Sequence, residues 1–180
     1  IKQIQCQPIT VLHVSKPENI IYMENDVLGF GSVQDKYQLA MDLFEVRLMF
    51  EPEIVMLACK NATEEQIKEA ERLCKEVEDL YKQGIDHIYK DIEFHCYLAK
   101  LSGNVVMERL LPVINTAVVT FANITYRSLK EETLTTHREI VNSLKKRDAV
   151  GARCAMIMHL TYNRQVIVEL LEERKKKKNI

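Results

Sequence analysis

The spacing of apolar residues changes near residue 34. From Gln34 onward, apolar residues recur at steps of three and four, which places them on one face of an α-helix. In the first predicted helix this face consists of six residues: Leu39, Leu43, Val46, Phe50, Ile54 and Leu57. Before residue 34, short β-branched runs at 9–14 and 20–23 alternate with prolines and glycines. We therefore predict an irregular or β-like N-terminal arm at 1–33 and a helical domain at 34–180.

Capping signals divide the helical part into six helices. Polar residues suited to begin a helix stand at Thr63 with Gln66, Asn104, Ser128 with Glu131, and Asp148, and helix-ending glycines at Gly84 and Gly103. The predicted helices lie at about 35–60, 63–83, 86–102, 104–126, 128–147 and 148–175. Long amphipathic helices with short connections predict an all-α antiparallel bundle.

Composition narrows the class of protein. A chain of 180 residues with 47% hydrophobic and 28% charged residues suits one globular domain. The net charge of −1 provides no overall attraction to nucleic acid. No apolar stretch is long enough to predict a membrane span. Because the chain begins with Ile1 rather than methionine, we expect it to be part of a longer protein.

The five cysteines bear on possible zinc or disulfide sites and on the redox compartment. Their number is odd and no two form a Cys-x-x-Cys pair, which argues against a zinc-cysteine module and against a disulfide framework. Free cysteines at helical apolar positions suit a reducing compartment. We therefore expect a cytoplasmic protein.

Four ionisable residues fall on the predicted apolar faces. Asp91 and His95 lie one turn apart in the third helix, His137 lies in the fifth and His159 in the sixth. A buried carboxylate costs several kcal/mol unless it is paired or binds a metal, and imidazole and carboxylate are ligands of Zn²⁺ and other first-row ions. The pattern predicts a metal site, although hydrogen-bonded core histidines would explain it as well. The remaining histidines are expected at the surface: His13 and His87.

Two further polar residues are candidates for binding a small molecule. Arg47 lies beside the apolar face of the first helix, where its cation needs an anionic partner. That partner is either Glu51, one turn further along, or the carboxylate of a ligand held by two parallel hydrogen bonds. Asn163 lies one turn beyond His159, where its amide would orient a ligand or support the site.

Several segments resemble one known family. The segment 42–53 resembles the opening helix of the FCD ligand-binding domain of FadR-type GntR transcription regulators. Asp91–His95 matches its Asp-x-x-Phe-His motif, Thr136–Ile140 its His-x-x-Ile element, and Met158–Leu160 supplies the last histidine. The motifs occur in the family's order over residues 35–173. The six-helix count resembles the shorter, metal-containing branch.

The resemblance implies a function in gene regulation rather than catalysis. Such domains are the C-terminal effector sensors of bacterial regulators, which act as homodimers and bind operator DNA through a winged helix-turn-helix. No such motif precedes Gln34, so DNA binding is not assigned to this chain. The resemblance also implies a divalent ion, with Zn²⁺ first and Ni²⁺ or another first-row ion next, and a small organic-acid effector. It assigns the metal to Asp91, His95, His137 and His159, and the effector carboxylate to Arg47.

Two other functions remain open at this point. One is a mononuclear helical metalloenzyme acting on small organic acids or esters, because open metal positions can activate water. No second carboxylate is evidently placed as its base, and the Glu-x-x-His pairs of a di-iron bundle are absent from the third, fifth and sixth helices. The other is a structural dimerisation domain whose core histidines are hydrogen-bonded.

Overall fold

The computed structural model describes residues 29–115 and 131–178. Within these two ranges, a short 3-10 helix at Phe30–Ser32 is followed by six α-helices: α1 Lys36–Asn61, α2 Glu64–Lys82, α3 Ile88–Leu101, α4 Val105–Ile114, α5 Glu131–Lys145 and α6 Ala149–Lys178. No strand occurs among the described residues. The predicted all-α fold is confirmed. None of the described helices is long and apolar enough to cross a membrane.

Some predictions fall on residues that the structure does not describe. They concern the arm at 1–28, His13, the end of the fourth predicted helix and the cap at Ser128. The boundary between residues 33 and 34 stays a prediction.

Side-chain caps fix where the helices begin. The Thr63 hydroxyl accepts from the Gln66 N–H, and the Gln66 side chain accepts from the Thr63 N–H at 2.7 Å, which completes the predicted capping box of α2. Asn104 accepts from two N–H groups at the start of α4, and Asp148 accepts from the Gly151 N–H at 2.8 Å in α6. These contacts satisfy N–H groups that have no partner within the helix. The three predicted caps are confirmed.

Contacts between helices show that neighbours run antiparallel. The end of α1 lies beside the start of α6, where the Cys59 thiol donates to the Asp148 carbonyl at 3.6 Å. Nearer the middle of α1, Glu53 pairs with Arg153 at 2.9 Å. Residue numbers therefore decrease along α1 in the direction in which they increase along α6, so the two helices are antiparallel. Helices α2 and α5 are antiparallel by the same argument, with the pairs Glu78–Arg138 and Glu71–Lys145.

The face that α1 buries is wider than the predicted one, of which Leu39, Leu43 and Ile54 are buried. Leu57, which was predicted to be buried, is 38% exposed, whereas Phe44 and Ala58 are fully buried. Helix α1 packs against α3, α4, α5 and α6, so partners surround much of its circumference. The buried arc includes Arg47 and Glu51, two charged residues one turn apart. Pro52 lies inside the helix, which continues to Asn61.

The turn between α5 and α6 is held by one arginine. Arg147 adopts φ 57°, a left-handed conformation that is uncommon for residues other than glycine. Its guanidinium donates to the carbonyls of Cys59 at 3.1 Å and Ala62 at 2.5 Å, and pairs with Glu64 at 2.8 Å. These bonds tie the turn to the end of α1. They help set the register of the two helices that carry His137 and His159.

The prediction that His87 lies at the surface is wrong. Its side chain is buried, at 5% exposure, and its ring packs edge-on against Tyr81 of α2 at a centroid distance of 5.8 Å. His87 is the residue just before α3. The third helix was predicted to begin at residue 86, whereas α3 begins at Ile88, so the face assigned to His87 from helical periodicity did not apply.

The capping box gives a test of the fold. Replacing Thr63→Ala removes the acceptor for the Gln66 N–H, and we expect the free energy of unfolding to fall by about 1 kcal/mol. Urea denaturation followed by circular dichroism measures this change. The control is Thr161→Ala, because the exposed Thr161 hydroxyl only donates back to the Ile157 carbonyl within α6. Equal losses in the two variants would contradict the capping role.

Candidate metal centre

Three histidines from three helices meet in the centre of the bundle. His95 of α3, His137 of α5 and His159 of α6 are all buried. Each offers one candidate ligand atom, and these atoms lie within 4.8 Å of one another. The rings of His137 and His159 are stacked with centroids 4.3 Å apart. Such mutual distances suit nitrogens that bind one central ion.

The hydrogen bonding of His137 fits a metal ligand. Neither of its ring nitrogens has a hydrogen-bond partner, although the side chain is buried. An unsatisfied buried polar group costs about 1–3 kcal/mol, so an arrangement of this kind needs an explanation. A neutral imidazole nitrogen with its lone pair directed into a group of other donors is what a divalent ion requires. The residues present therefore fit a metal ion.

Asp91 lies beside two of the three histidines. One carboxylate oxygen, Oδ1, is 3.4 Å from His137 Nε2, and Oδ2 is 3.9 Å from His95 Nε2. Asp91 Oδ1 is also buried without a hydrogen bond. A carboxylate in this position adds an anionic oxygen to the three nitrogens. The four residues predicted as metal ligands are thus brought together.

Behind His95 lies a buried ion pair on α1. Glu51 Oε2 is 2.7 Å from His95 Nδ1, and Glu51 Oε1 accepts from Arg47 Nε at 2.5 Å. All three side chains are buried. Burial by itself raises the pKa of Glu51, but the Arg47 charge and the His95 contact outweigh burial and lower this pKa from 4.5 to about 2. Glu51 is therefore ionised at neutral pH.

In the structure Arg47 pairs with Glu51, which is one of the two partners that the sequence left open. Its guanidinium pairs with Glu51, lies 5.4 Å from the ring centroid of Phe44, and places Nη2 at 3.5 Å from His95 Nε2. The cation is thus neutralised within the protein. No contact with an effector follows from this geometry, so that role stays a prediction.

His159 is held by two polar neighbours. Its Nδ1 is 3.3 Å from the hydroxyl of Thr136, and its Nε2 is 3.2 Å from the amide nitrogen of Asn163. The Asn163 carbonyl oxygen accepts from the Thr133 hydroxyl at 2.8 Å. Asn163 therefore lies next to His159, and its observed contacts are with protein groups, so its predicted role in effector binding stays a prediction.

Burial keeps two of the histidines neutral. It lowers the pKa of His137 from 6.5 to about 4, although the Asp91 carboxylate opposes part of this change. Burial, together with the neighbouring histidines His137 and His95, lowers the pKa of His159 well below 6.5. Neutral imidazoles at physiological pH are the form that binds a metal.

Three residues at the site were missed or undervalued by sequence analysis. Glu51 was considered only as a local partner of Arg47, whereas it also contacts His95 on another helix. The sequence feature that could have indicated a buried role for Glu51 is its position one turn after Arg47. Thr133 and Thr136 were not recognised, because small hydroxyl residues hardly disturb an apolar pattern.

Comparison with known proteins identifies the family. The model of the FCD domain matches residues 42–162, about two thirds of the chain. The chain belongs to the FCD domain family. This domain includes the three histidines and Asp91 within the matched residues.

The relatives of this FCD domain are transcription regulators. It is 29% identical over 83% of its length to the uncharacterized HTH-type transcriptional regulator YcbG of Bacillus subtilis, and 28% identical over 74% to the HTH-type transcriptional repressor NanR of Citrobacter rodentium. The solved structure of Streptococcus agalactiae GntR matches 78% of the chain with a TM-score of 0.71 and 38% identity. The chain spans 65%, 53% and 65% of the lengths of these three proteins. The family and these relatives are regulators and not enzymes, as predicted.

The buried neutral histidines predict how stability depends on pH. In the unfolded chain a histidine protonates near pH 6.5, whereas in the folded state His137 protonates near pH 4. Between these values the unfolded state binds more protons, so stability falls as pH falls. From pH 7.5 to 5 we expect His137 alone to remove on the order of 2 kcal/mol from the free energy of unfolding.

Urea denaturation in the presence of a chelator measures this loss. The variant His137→Phe keeps a ring in the core without a titrating group, so it should show a smaller decrease over the same pH range. A decrease of equal size in both proteins would contradict the assignment to His137.

Proposed function

We propose that this FCD domain binds a divalent metal ion and, with it, a small carboxylate effector, and that it serves as the sensor of a GntR-type transcription regulator. The observation that carries the proposal is the group of three buried histidines whose ligand atoms lie within 4.8 Å of one another. Because no protein group hydrogen-bonds to His137, the lone pair of its unprotonated ring nitrogen is available to an ion, which supports the proposal.

The proposed metal ligands are His95, His137, His159 and Asp91. Imidazole and carboxylate donors accept Zn²⁺, our first choice, and also Ni²⁺ or another first-row ion. When bound, the ion would supply a Lewis acid that attracts an anionic oxygen. The protein contributes the neutral nitrogens of His137 and His159 in a buried position.

Arg47 and Asn163 are the residues that we propose to contact the effector. Both already have hydrogen-bond partners in the protein, so the effector has to share them. An effector carboxylate has to share the Arg47 guanidinium with Glu51, which already accepts two of its N–H groups at 2.5 and 3.4 Å. In the same way, the effector has to share the Asn163 amide with His159. Both residues are buried, so the effector is expected to be small.

The regulatory part of the proposal rests on the relatives. Two of them are described as HTH-type transcription regulators, and they extend well beyond the length that this chain covers. We propose that a winged helix-turn-helix outside this chain binds operator DNA in the cytoplasm, as a homodimer. Residues 34–180 would form the sensor. Effector binding would favour one of two bundle arrangements and so change the spacing of the DNA-binding parts.

The metalloenzyme alternative is not favoured. A hydrolase needs a carboxylate free to act as a base near the metal, and Glu51 is engaged by Arg47 and His95. Asp91 lies 3.4 Å from His137 Nε2 and is one of the proposed metal ligands, so it is not proposed as a base. The relatives are regulators, which agrees with a sensor.

The metal site predicts the metal content of the purified protein. We expect about one divalent ion per chain by inductively coupled plasma mass spectrometry, and loss of the ion in the His137→Ala/His159→Ala double variant. His87→Ala is the matched control, because His87 is a buried histidine outside the group. A double variant with unchanged metal content would contradict the site. A protein without metal, and a melting temperature unaffected by chelator, would instead support a structural domain.

Effector binding predicts a metal-dependent rise in melting temperature. Small mono- and dicarboxylates are screened by thermal shift with the metal-loaded and the chelated protein, and we expect stabilisation in the loaded protein alone. Arg47→Lys keeps a cation for Glu51 but loses the planar fork, so the rise should be smaller. Equal shifts with and without metal would contradict the role of the ion. Chelator-sensitive turnover of an acid or ester would favour the enzyme.

A further inference from the structure

We propose that Glu51 is a positioning residue that fixes the proton of His95 on Nδ1 and so leaves the lone pair on Nε2, the nitrogen that lies 3.9 Å from Asp91 Oδ2. The relevance of this tautomer to metal binding rests on the proposed function. The tautomer itself is a property of the protein alone.

The contact between Glu51 and His95 determines which ring nitrogen of His95 carries the proton. The distance of 2.7 Å between Glu51 Oε2 and His95 Nδ1 is that of a strong hydrogen bond between buried groups. An ionised carboxylate can only accept, so the imidazole nitrogen must donate. The proton of a neutral His95 therefore lies on Nδ1.

Arg47 supports the same assignment in two ways. Its Nε lies 2.5 Å from Glu51 Oε1, so its positive charge stabilises the carboxylate form of Glu51. Its Nη2 lies 3.5 Å from His95 Nε2, and because a guanidinium can only donate, a hydrogen bond there requires the lone pair of Nε2, which an ion bound at Nε2 would take over. That contact is at the long limit of a hydrogen bond and is weak. A donor on one side of the ring and an acceptor on the other thus agree on one tautomer.

The lone pair fixed in this way is on the side of the candidate ligands. His95 Nε2 is the nitrogen that lies 3.9 Å from Asp91 Oδ2. At His159, Nδ1 likewise faces the Thr136 hydroxyl, while Nε2 accepts from the Asn163 amide, a contact that an ion bound at Nε2 would replace. That hydroxyl is within donating distance of the Glu132 and Thr133 carbonyls, at 2.8 and 2.9 Å, so its oxygen can accept from Nδ1. In metal sites, partners of this kind orient the ligand ring and raise its basicity, and their loss typically weakens metal binding 10–100-fold.

Nuclear magnetic resonance tests the tautomer directly. Two-bond proton–nitrogen correlations of ¹⁵N-histidine-labelled protein distinguish Nδ1–H from Nε2–H, and the His95→Gln variant assigns the His95 signals. The measurement uses the full chain in chelator, so it does not depend on metal binding. We expect Nδ1–H for His95. An Nε2–H signal would overturn the proposal.

Metal affinity tests the consequence. In Glu51→Gln, an amide that accepts from His95 must turn its NH₂ group toward Arg47 Nε, where two donors oppose each other. We expect Zn²⁺ to bind 10–100-fold more weakly, measured by competition with a chromophoric chelator, and His95 to lose its single tautomer. Glu53→Gln is the matched control: Glu53 lies on the same helix, is exposed and pairs with Arg153 outside the site. It should leave both measurements unchanged.

The outcomes separate this proposal from the proposed function. A wild-type protein that binds no Zn²⁺ but shows Nδ1–H at His95 contradicts the metal sensor and supports the tautomer. Unchanged affinity and unchanged tautomer in Glu51→Gln overturn the role of Glu51. If that variant does not fold, Glu51→Asp keeps the acceptor charge on a shorter side chain, and an intermediate affinity is expected. Loss of Zn²⁺ binding in Glu53→Gln as well would overturn the specific role.

Discussion

The carboxylate of Glu51 is the contact on which the centre of the bundle depends. A buried guanidinium and a buried imidazole both need acceptors, and Glu51 serves both at 2.5 and 2.7 Å. Removing one member of such a group leaves an uncompensated charge in the core, which typically costs 3–5 kcal/mol. Helices α1 and α3 are therefore linked through a polar contact that tolerates little displacement. The orientation of His95 follows from it.

The other side of the site has the opposite character. His137 has no hydrogen bond at either nitrogen, and Asp91 Oδ1 has none either. On the side of Glu51, the polar atoms of the site have hydrogen-bond partners. On the side of His137 and Asp91, the polar atoms lack them. A protein that maintains such an arrangement gives up stability at that point, and an ion bound to one His137 nitrogen and to Asp91 Oδ1 would recover part of it. This difference is the physical basis of the metal proposal.

The location of the site within the bundle bears on the regulatory role that we propose for it. The site residues lie on α1, α3, α5 and α6, so a change at the site acts on four packed helices at once. Packed helices shift between discrete arrangements rather than deforming continuously, which is how a small ligand can alter a distant part of a regulator. Relatives of this domain are HTH-type transcription regulators, which is the setting in which we propose such coupling.

Periodicity and capping by themselves predicted the helices, three of their caps and the four ionisable residues on apolar faces, because helix spacing and capping are local properties of the chain. The same local information misjudged the buried face of α1, where Leu57 is exposed, and the burial of His87. It also could not show that Glu51 meets His95, a residue 44 positions away. Which polar group satisfies which depends on how neighbouring helices are rotated and shifted in register. That is decided only when the whole bundle packs, so the tertiary structure alone determines the partners of these side chains.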